Sequence, residues 1–170
     1  MFRTRGVSNK LNQRVGRRLG ALFVALGMFA WVSCTHQADA GTLTVIVDIK
    51  DPGVRLVLND DTVEFGGVRP GDEAVDTIAG TVRSAKPWQM VYAATDLVSP
   101  TDCIPINELT LEGTMISQPI VMSRGGVIYS NMPKATGHGF AFTHTYRLIL
   151  PWTVDPGVYR GTIVYSVSQM

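Results

Sequence analysis

Residues 146–167 read YRLILPWTVDPGVYRGTIVYSV. Tyr146, Leu148, Leu150 and Trp152 alternate with their neighbours, and so do Tyr159, Gly161, Ile163, Tyr165 and Val167. Period two is the strand signature, because successive side chains point to opposite faces. Between the two runs stands Asp155-Pro156-Gly157, a sequence with turn chemistry. The expectation is a hairpin: two antiparallel strands, each with one apolar face.

Working outward, the same alternation fills residues 41–170. Leu43, Val45, Val47 and Ile49 share a parity, and strands are expected over 55–58 and 62–65. Residues 74–84 read as a strand with Val75, Ile78 and Val82 buried and Gly80 as a bulge. Trp88, Met90, Tyr92 and Ala94 share one face, which alternation assigns to the core. Residues 95–103 read as a loop, and 107–111, 117–122 and 126–130 as shorter strands. Residues 131–143, rich in Gly and small side chains, read as a mobile connection. No stretch after residue 40 holds a 3.6-residue period for ten residues. About nine short strands with regular turn signals predict an all-β fold, an antiparallel sandwich. Trp88, Tyr92, Tyr146, Trp152 and Tyr165 are its expected large core members.

Charge divides the chain. Residues 1–40 hold six basic residues against Asp39, a balance of +5. Residues 41–170 hold nine basic and thirteen acidic residues, a balance of −4. The basic segment precedes Leu19–Val32, a 14-residue run without charge. That is short of the roughly 20 apolar residues of a membrane span. It fits the apolar core of a secretory signal peptide, and Ala38-Asp39-Ala40 supplies a small-x-small cleavage site. The expected organisation is a signal peptide helix over 1–40 and one β-sandwich domain over 41–170, with no transmembrane helix in the mature chain. Two variants compete. Cys34 follows the apolar run as a lipid-modified cysteine would, although Trp31 stands where a Leu is usual. Arg17-Arg18 has the pairing of a twin-arginine signal without its fuller flanks. Cleavage after Ala40 removes Cys34 and leaves Cys103 alone, so neither an intrachain disulfide nor a cysteine zinc site is expected. Cys103 itself reads as a small, partly buried apolar residue.

The search for chemistry yields little. His138 and His144 are six residues apart, which in a strand means one face and about 20 Å. That is too far for one metal ion. Asp60-Asp61 with Glu64, and Asp72-Glu73 with Asp76, lack the glycine-spaced loop of a calcium site. No Gly-x-Ser-x-Gly or Ser-x-x-Lys motif is present. The reading is therefore no enzyme, no cofactor and no metal. An acidic body without a basic cluster is not expected to bind nucleic acid.

One resemblance adds to this reading. Phe65 followed by Val68-Arg69-Pro70-Gly71, and Ser84-Ala85-Lys86-Pro87-Trp88-Gln89-Met90, resemble segments of secreted bacterial WxL cell-wall-associated proteins. Ile104-Pro105 followed by Leu109, and residues 156–165, resemble their later segments and closing strand. Met90 replaces the Leu of the first Trp-x-Leu motif. Tyr165-Ser166-Val167 stands where the second would be. The resemblance implies an immunoglobulin-like sandwich, secretion and a place on the cell surface. It makes cell-wall polymer or other surface proteins the expected partners, with Trp88, Met90, Trp152, Tyr159 and Tyr165 as candidate ligand or motif residues. Loops 95–103 and 131–143, and Arg160 and Val164 on an exposed last strand, are further candidates for contact. Two other expectations stand beside it. A fimbrial subunit would donate the alternating segment 42–49 to another copy. A carbohydrate-binding module would stack sugar on an exposed Trp88 or Trp152.

Overall fold

The computed structural model describes residues 38–39, 41–49 and 53–170. The chain divides into Met1–Cys34 and Thr35–Met170, and the description concerns the second unit. The expected signal peptide lies almost wholly outside the described residues. So does Cys34.

The described residues form fourteen strands and one 3-10 turn, joined by turns and loops. In chain order they are β1 (Ala38–Asp39), β2 (Thr42–Ile49), β3 (Val54–Leu58), β4 (Thr62–Glu64), β5 (Gly67–Val68), β6 (Glu73–Ser84) and β7 (Trp88–Ala94). Then follow β8 (Leu97–Val98), β9 (Cys103–Ile104), β10 (Leu109–Gly113), β11 (Ile120–Val121), β12 (Gly125–Met132), β13 (Ala135–Ile149) and β14 (Arg160–Gln169). A 3-10 turn at Ile106–Glu108 precedes β10. No helix among the described residues is long and apolar enough to cross a membrane.

The strands form two main sheets. One has the order β11-β10-β13-β6-β3 and is antiparallel throughout. The other has the order β12-β7-β14-β2-β4, with β8 and β9 attached beside β14. Its single parallel pair is β14 with β2, in register from Arg160 opposite Thr42 to Val167 opposite Ile49. The inner faces of both sheets supply one continuous apolar core, as a sandwich requires. Trp88, Met90, Ile163, Tyr165 and Val167 meet Ile78, Val82, Tyr146 and Leu148 there, all fully buried. Each such side chain contributes roughly 1.5–3 kcal/mol by leaving water.

Several expectations are corrected. The stretch 146–167 is not a hairpin. β13 pairs with β6 and β10, whereas β14 pairs with β7, β2 and β8, so the connection crosses from one sheet to the other. Alternation looks the same whether two apolar faces lie side by side or face each other. Residues 131–143 are not a mobile connection either, because most of them belong to β13, the longest strand. Their small residues serve close packing: a Cβ at Gly139 would stand 2.7 Å from the Val82 carbonyl oxygen. Gly80 is no bulge. β6 runs in unbroken register with β3 and with residues 140–149, and a Cβ at Gly80 would lie 2.6 Å from Cζ of Phe142. Val75 is exposed, because the buried positions of β6 all have even numbers: Ala74, Ile78, Gly80, Val82 and Ser84. The last strand is not an edge: β14 has β7 on one side and β2 on the other. Segment 42–49 is likewise occupied, lying between β14 and β4. Cys103 is exposed.

Candidate functional site

The five residues singled out from sequence divide sharply. Trp88, Met90, Tyr159 and Tyr165 are at 0% exposure, and Trp152 is at 82%. Trp88 packs edge-on against Tyr129 and tilted against Phe140, and its indole nitrogen has no hydrogen-bond partner among the described residues. Tyr159 sits under the connection into β14. Its hydroxyl donates to the Asp155 carbonyl at 2.7 Å and lies 3.4 Å from the Asp102 carboxylate. Asp102 also accepts from the amides of Asp155 and Cys103, and these hold its carboxyl below the usual range. Loop 95–103 is thereby tied to residues 155–159.

Tyr165 belongs to a buried polar chain that sequence reading missed. Its hydroxyl stands 2.7 Å from Nδ1 of His144, and Nε2 of His144 stands 3.0 Å from the hydroxyl of Tyr129. Tyr129 donates to the Thr114 carbonyl at 2.7 Å, and Tyr146 and Tyr165 share a hydrogen bond between hydroxyls. Proton count fixes the directions. The Tyr129 proton goes to Thr114, so Tyr129 accepts from Nε2–H of a neutral His144. Nδ1 then accepts from Tyr165, and Tyr165 accepts from Tyr146. Each proton has an acceptor only while His144 is neutral. Burial pushes the imidazole down to about 4 and pushes the phenols of Tyr129, Tyr146 and Tyr165 up. The chain joins β13 to β12 and β14 across the sandwich. Its chemistry is that of a clamp, since its four ring side chains are buried.

His138 and His144 lie on opposite sides despite their even spacing. Ala135 pairs with Ser84 and Phe140 with Val82, so residues 136–139 stand opposite Arg83 alone. The surplus of three residues reverses the parity of the strand. His138 is exposed while His144 is buried. No group of three metal-ligating side chains occurs among the described residues.

The exposed candidate is Trp152, and two turns hold it. Val154 donates to the Pro151 carbonyl, and Asp72 to the Arg69 carbonyl. The turns are locked together at Leu150, whose carbonyl accepts from the Gly71 amide at 2.7 Å and whose amide donates to the Asp72 carbonyl at 3.1 Å. Gly71 has φ +85, the left-handed region that favours glycine. A Cβ there would overlap Cζ2 of Trp152 and stand 2.6 Å from Cε2. The indole therefore rests on bare backbone and presents the rest of its surface to solvent. The alternation 146, 148, 150 carries on to 152 in the sequence and predicts Trp152 in the core, which the structure corrects. Pro151 ends the alternation. The turn formers Pro70-Gly71 and Pro151 are visible in sequence, but their meeting is a tertiary fact.

Trp152 stands just beyond the end of the five-stranded sheet where Ile149 of β13 pairs with Glu73 of β6. Val75 and Ile149 are exposed there, beside Arg147, which pairs with Glu73 at 2.7 Å and with Glu112 at 3.5 Å. Thr77 and Thr145 lie opposite each other further along. The surface combines an anchored aromatic ring, scattered methyl groups and hydroxyls. No family model matches the chain, and a search of curated proteins finds no significant match.

Proposed function

We propose that this chain is a secreted, non-catalytic, immunoglobulin-like β-sandwich of a bacterial cell surface. It associates with cell-wall polymer through Trp152 and the adjoining sheet face. The observation that carries the reading is the exposed indole backed by Gly71. A ring fixed on one side loses little freedom when a ligand stacks on it, and an exposed aromatic of this kind is a common anchor. The WxL-like segments around Trp88 support the surface location. A sugar face is the natural partner for the ring, so carbohydrate binding and wall association converge on one residue. The test is a pull-down of the 41–170 domain with isolated cell-wall polymer. Retention that Trp152→Ala abolishes, with the fold intact by circular dichroism, supports the reading. Retention unchanged by that substitution removes it.

A second reading rests on β2. β2 fills the place between β14 and β4 in parallel with β14, and β2 of another copy can fill that same place, giving a fimbrial or pilus-like polymer. Concentration-dependent ladders in gel filtration support it, and a strict monomer at all concentrations removes it.

A further inference from the structure

We propose that Arg55, Arg83 and His138 form a binding site for a phosphate-type oxyanion on the solvent face of the five-stranded sheet. Arg55 and Arg83 are direct cross-strand partners on β3 and β6. Like charges placed opposite each other repel, and such pairs weaken a sheet. Neither has an ion-pair partner among the described residues. Two of the four other described arginines do: Arg147 holds Glu73 and Glu112, and Arg124 holds Asp96 at 3.1 Å, while Arg69 and Arg160 are unpaired among the described residues but stand singly. A charged residue on an edge strand such as β3 blocks unwanted pairing, which accounts for Arg55 alone. It does not account for Arg83, which lies one strand further in.

The register shift in β13 completes the arrangement. Residues 136–139 loop out opposite Arg83, with Gly137 at φ +69 and Gly139 at φ +82. Gly139 passes so close to β6 that a Cβ would stand 2.9 Å from Cγ of Arg83. The loop therefore carries His138 to the two arginines, and all three line one groove with Val57 and Thr81. Bulges commonly re-aim a side chain in this way. The groove measures about 240 Å³, below the roughly 300 Å³ at which pockets for drug-sized ligands begin. It suits one anionic group rather than a ring system. Paired guanidinium forks match the oxygens of a tetrahedral oxyanion, and an anion between them turns the repulsion into attraction.

The site is independent of the reading of Trp152. Glu73, at the Trp152 end of β6, and Arg83 are ten residues apart, about 33 Å at strand rise. Free phosphate and a phosphodiester carried on a polymer present the same chemistry. The purified protein is titrated with inorganic phosphate and, separately, with diethyl phosphate, at constant ionic strength. Binding is read from the Arg side-chain and His138 ring signals by nuclear magnetic resonance. Saturable millimolar or tighter binding is expected, weakened about tenfold or more by Arg55→Gln or Arg83→Gln. It should be unchanged by Trp152→Ala. Without added anion, each Gln variant should melt no lower than the wild type, because the repulsion is relieved. A response to both anions assigns the site to phosphodiesters, and a response to inorganic phosphate alone assigns it to the free ion. No saturable response to either, or equal binding by folded Gln variants, overturns the proposal.

Discussion

Nδ1 of His144, on β13, accepts a 2.7 Å hydrogen bond from the hydroxyl of Tyr165, on β14. The two residues belong to different sheets, so the bond spans the core. Its direction requires a neutral imidazole, and the rings that His144 touches, Tyr129, Phe142 and Tyr165, carry no charge to offset a proton on it.

Acid should therefore loosen the sandwich. The imidazole titrates near 6.5 when unfolded and near 4 when folded. The unfolded chain takes up its proton first as pH falls. The contribution is fully present above about pH 6.5 and is lost progressively down to about pH 4. The loss amounts to roughly 3 kcal/mol over that interval. Urea unfolding at pH 7.5 and pH 4.5 measures it. A His144→Phe variant is less stable at pH 7.5 but shows a shallower decline. An equally steep decline in that variant would place the acid sensitivity elsewhere.

The tyrosines should rank by position in the chain of bonds. Tyr146 only donates, so Tyr146→Phe orphans no partner and costs about 1 kcal/mol. Tyr165→Phe strands both Nδ1 of His144 and the Tyr146 hydroxyl, at roughly 2–5 kcal/mol. Tyr129→Phe strands Nε2–H and the Thr114 carbonyl and belongs with Tyr165. Denaturant midpoints test the order. Equal costs for Tyr146→Phe and Tyr165→Phe would contradict the proton directions given above.

Gly80 should resist enlargement. A methyl group there meets Cζ of Phe142 at 2.6 Å and Cδ2 of Leu58 at 2.9 Å. Gly80→Ala is expected to cost about 1–3 kcal/mol by overpacking. Phe142→Leu in the same molecule should recover part of that loss. Two costs that simply add would show that the contact is not the cause.

Removal of residues 160–170 should unfold the protein rather than trim it. β14 is hydrogen-bonded on both sides and buries Ile163, Tyr165 and Val167. The truncated chain is expected to lose its near-ultraviolet circular dichroism and its cooperative melt. A folded truncation would return the last strand to the role of an exposed edge.

Much of this architecture is legible in the sequence, and the gaps have physical causes. The buried face of β7 follows from the parity of Trp88, Met90, Tyr92 and Ala94, because a half-buried strand must alternate. Alternation gives the buried side of a strand but not its neighbours, so residues 146–167 passed for a hairpin. Parity survives only while register does. The 136–139 shift placed His138 outside and His144 inside, which spacing alone could not foretell. Pro151 marked where β13 stops, yet the apolar run up to Leu150 outweighed it and drew Trp152 into the expected core. The polar chain through His144 and the pairing of Arg55 with Arg83 depend on which strands meet, a matter of topology that no local pattern encodes.

The parallel pairing of β2 with β14 has a consequence in time. Every strand that β14 joins precedes it in the chain. As the polypeptide emerges from its N-terminal side, β2 with β4 and β7 with β12 can form only as separate halves. Their apolar faces wait for the strand that belongs between them. Contacts so distant in sequence close slowly, and the unfinished sheet is exposed meanwhile. The seven-stranded sheet is therefore closed only once β14 has arrived, however early its other strands are made.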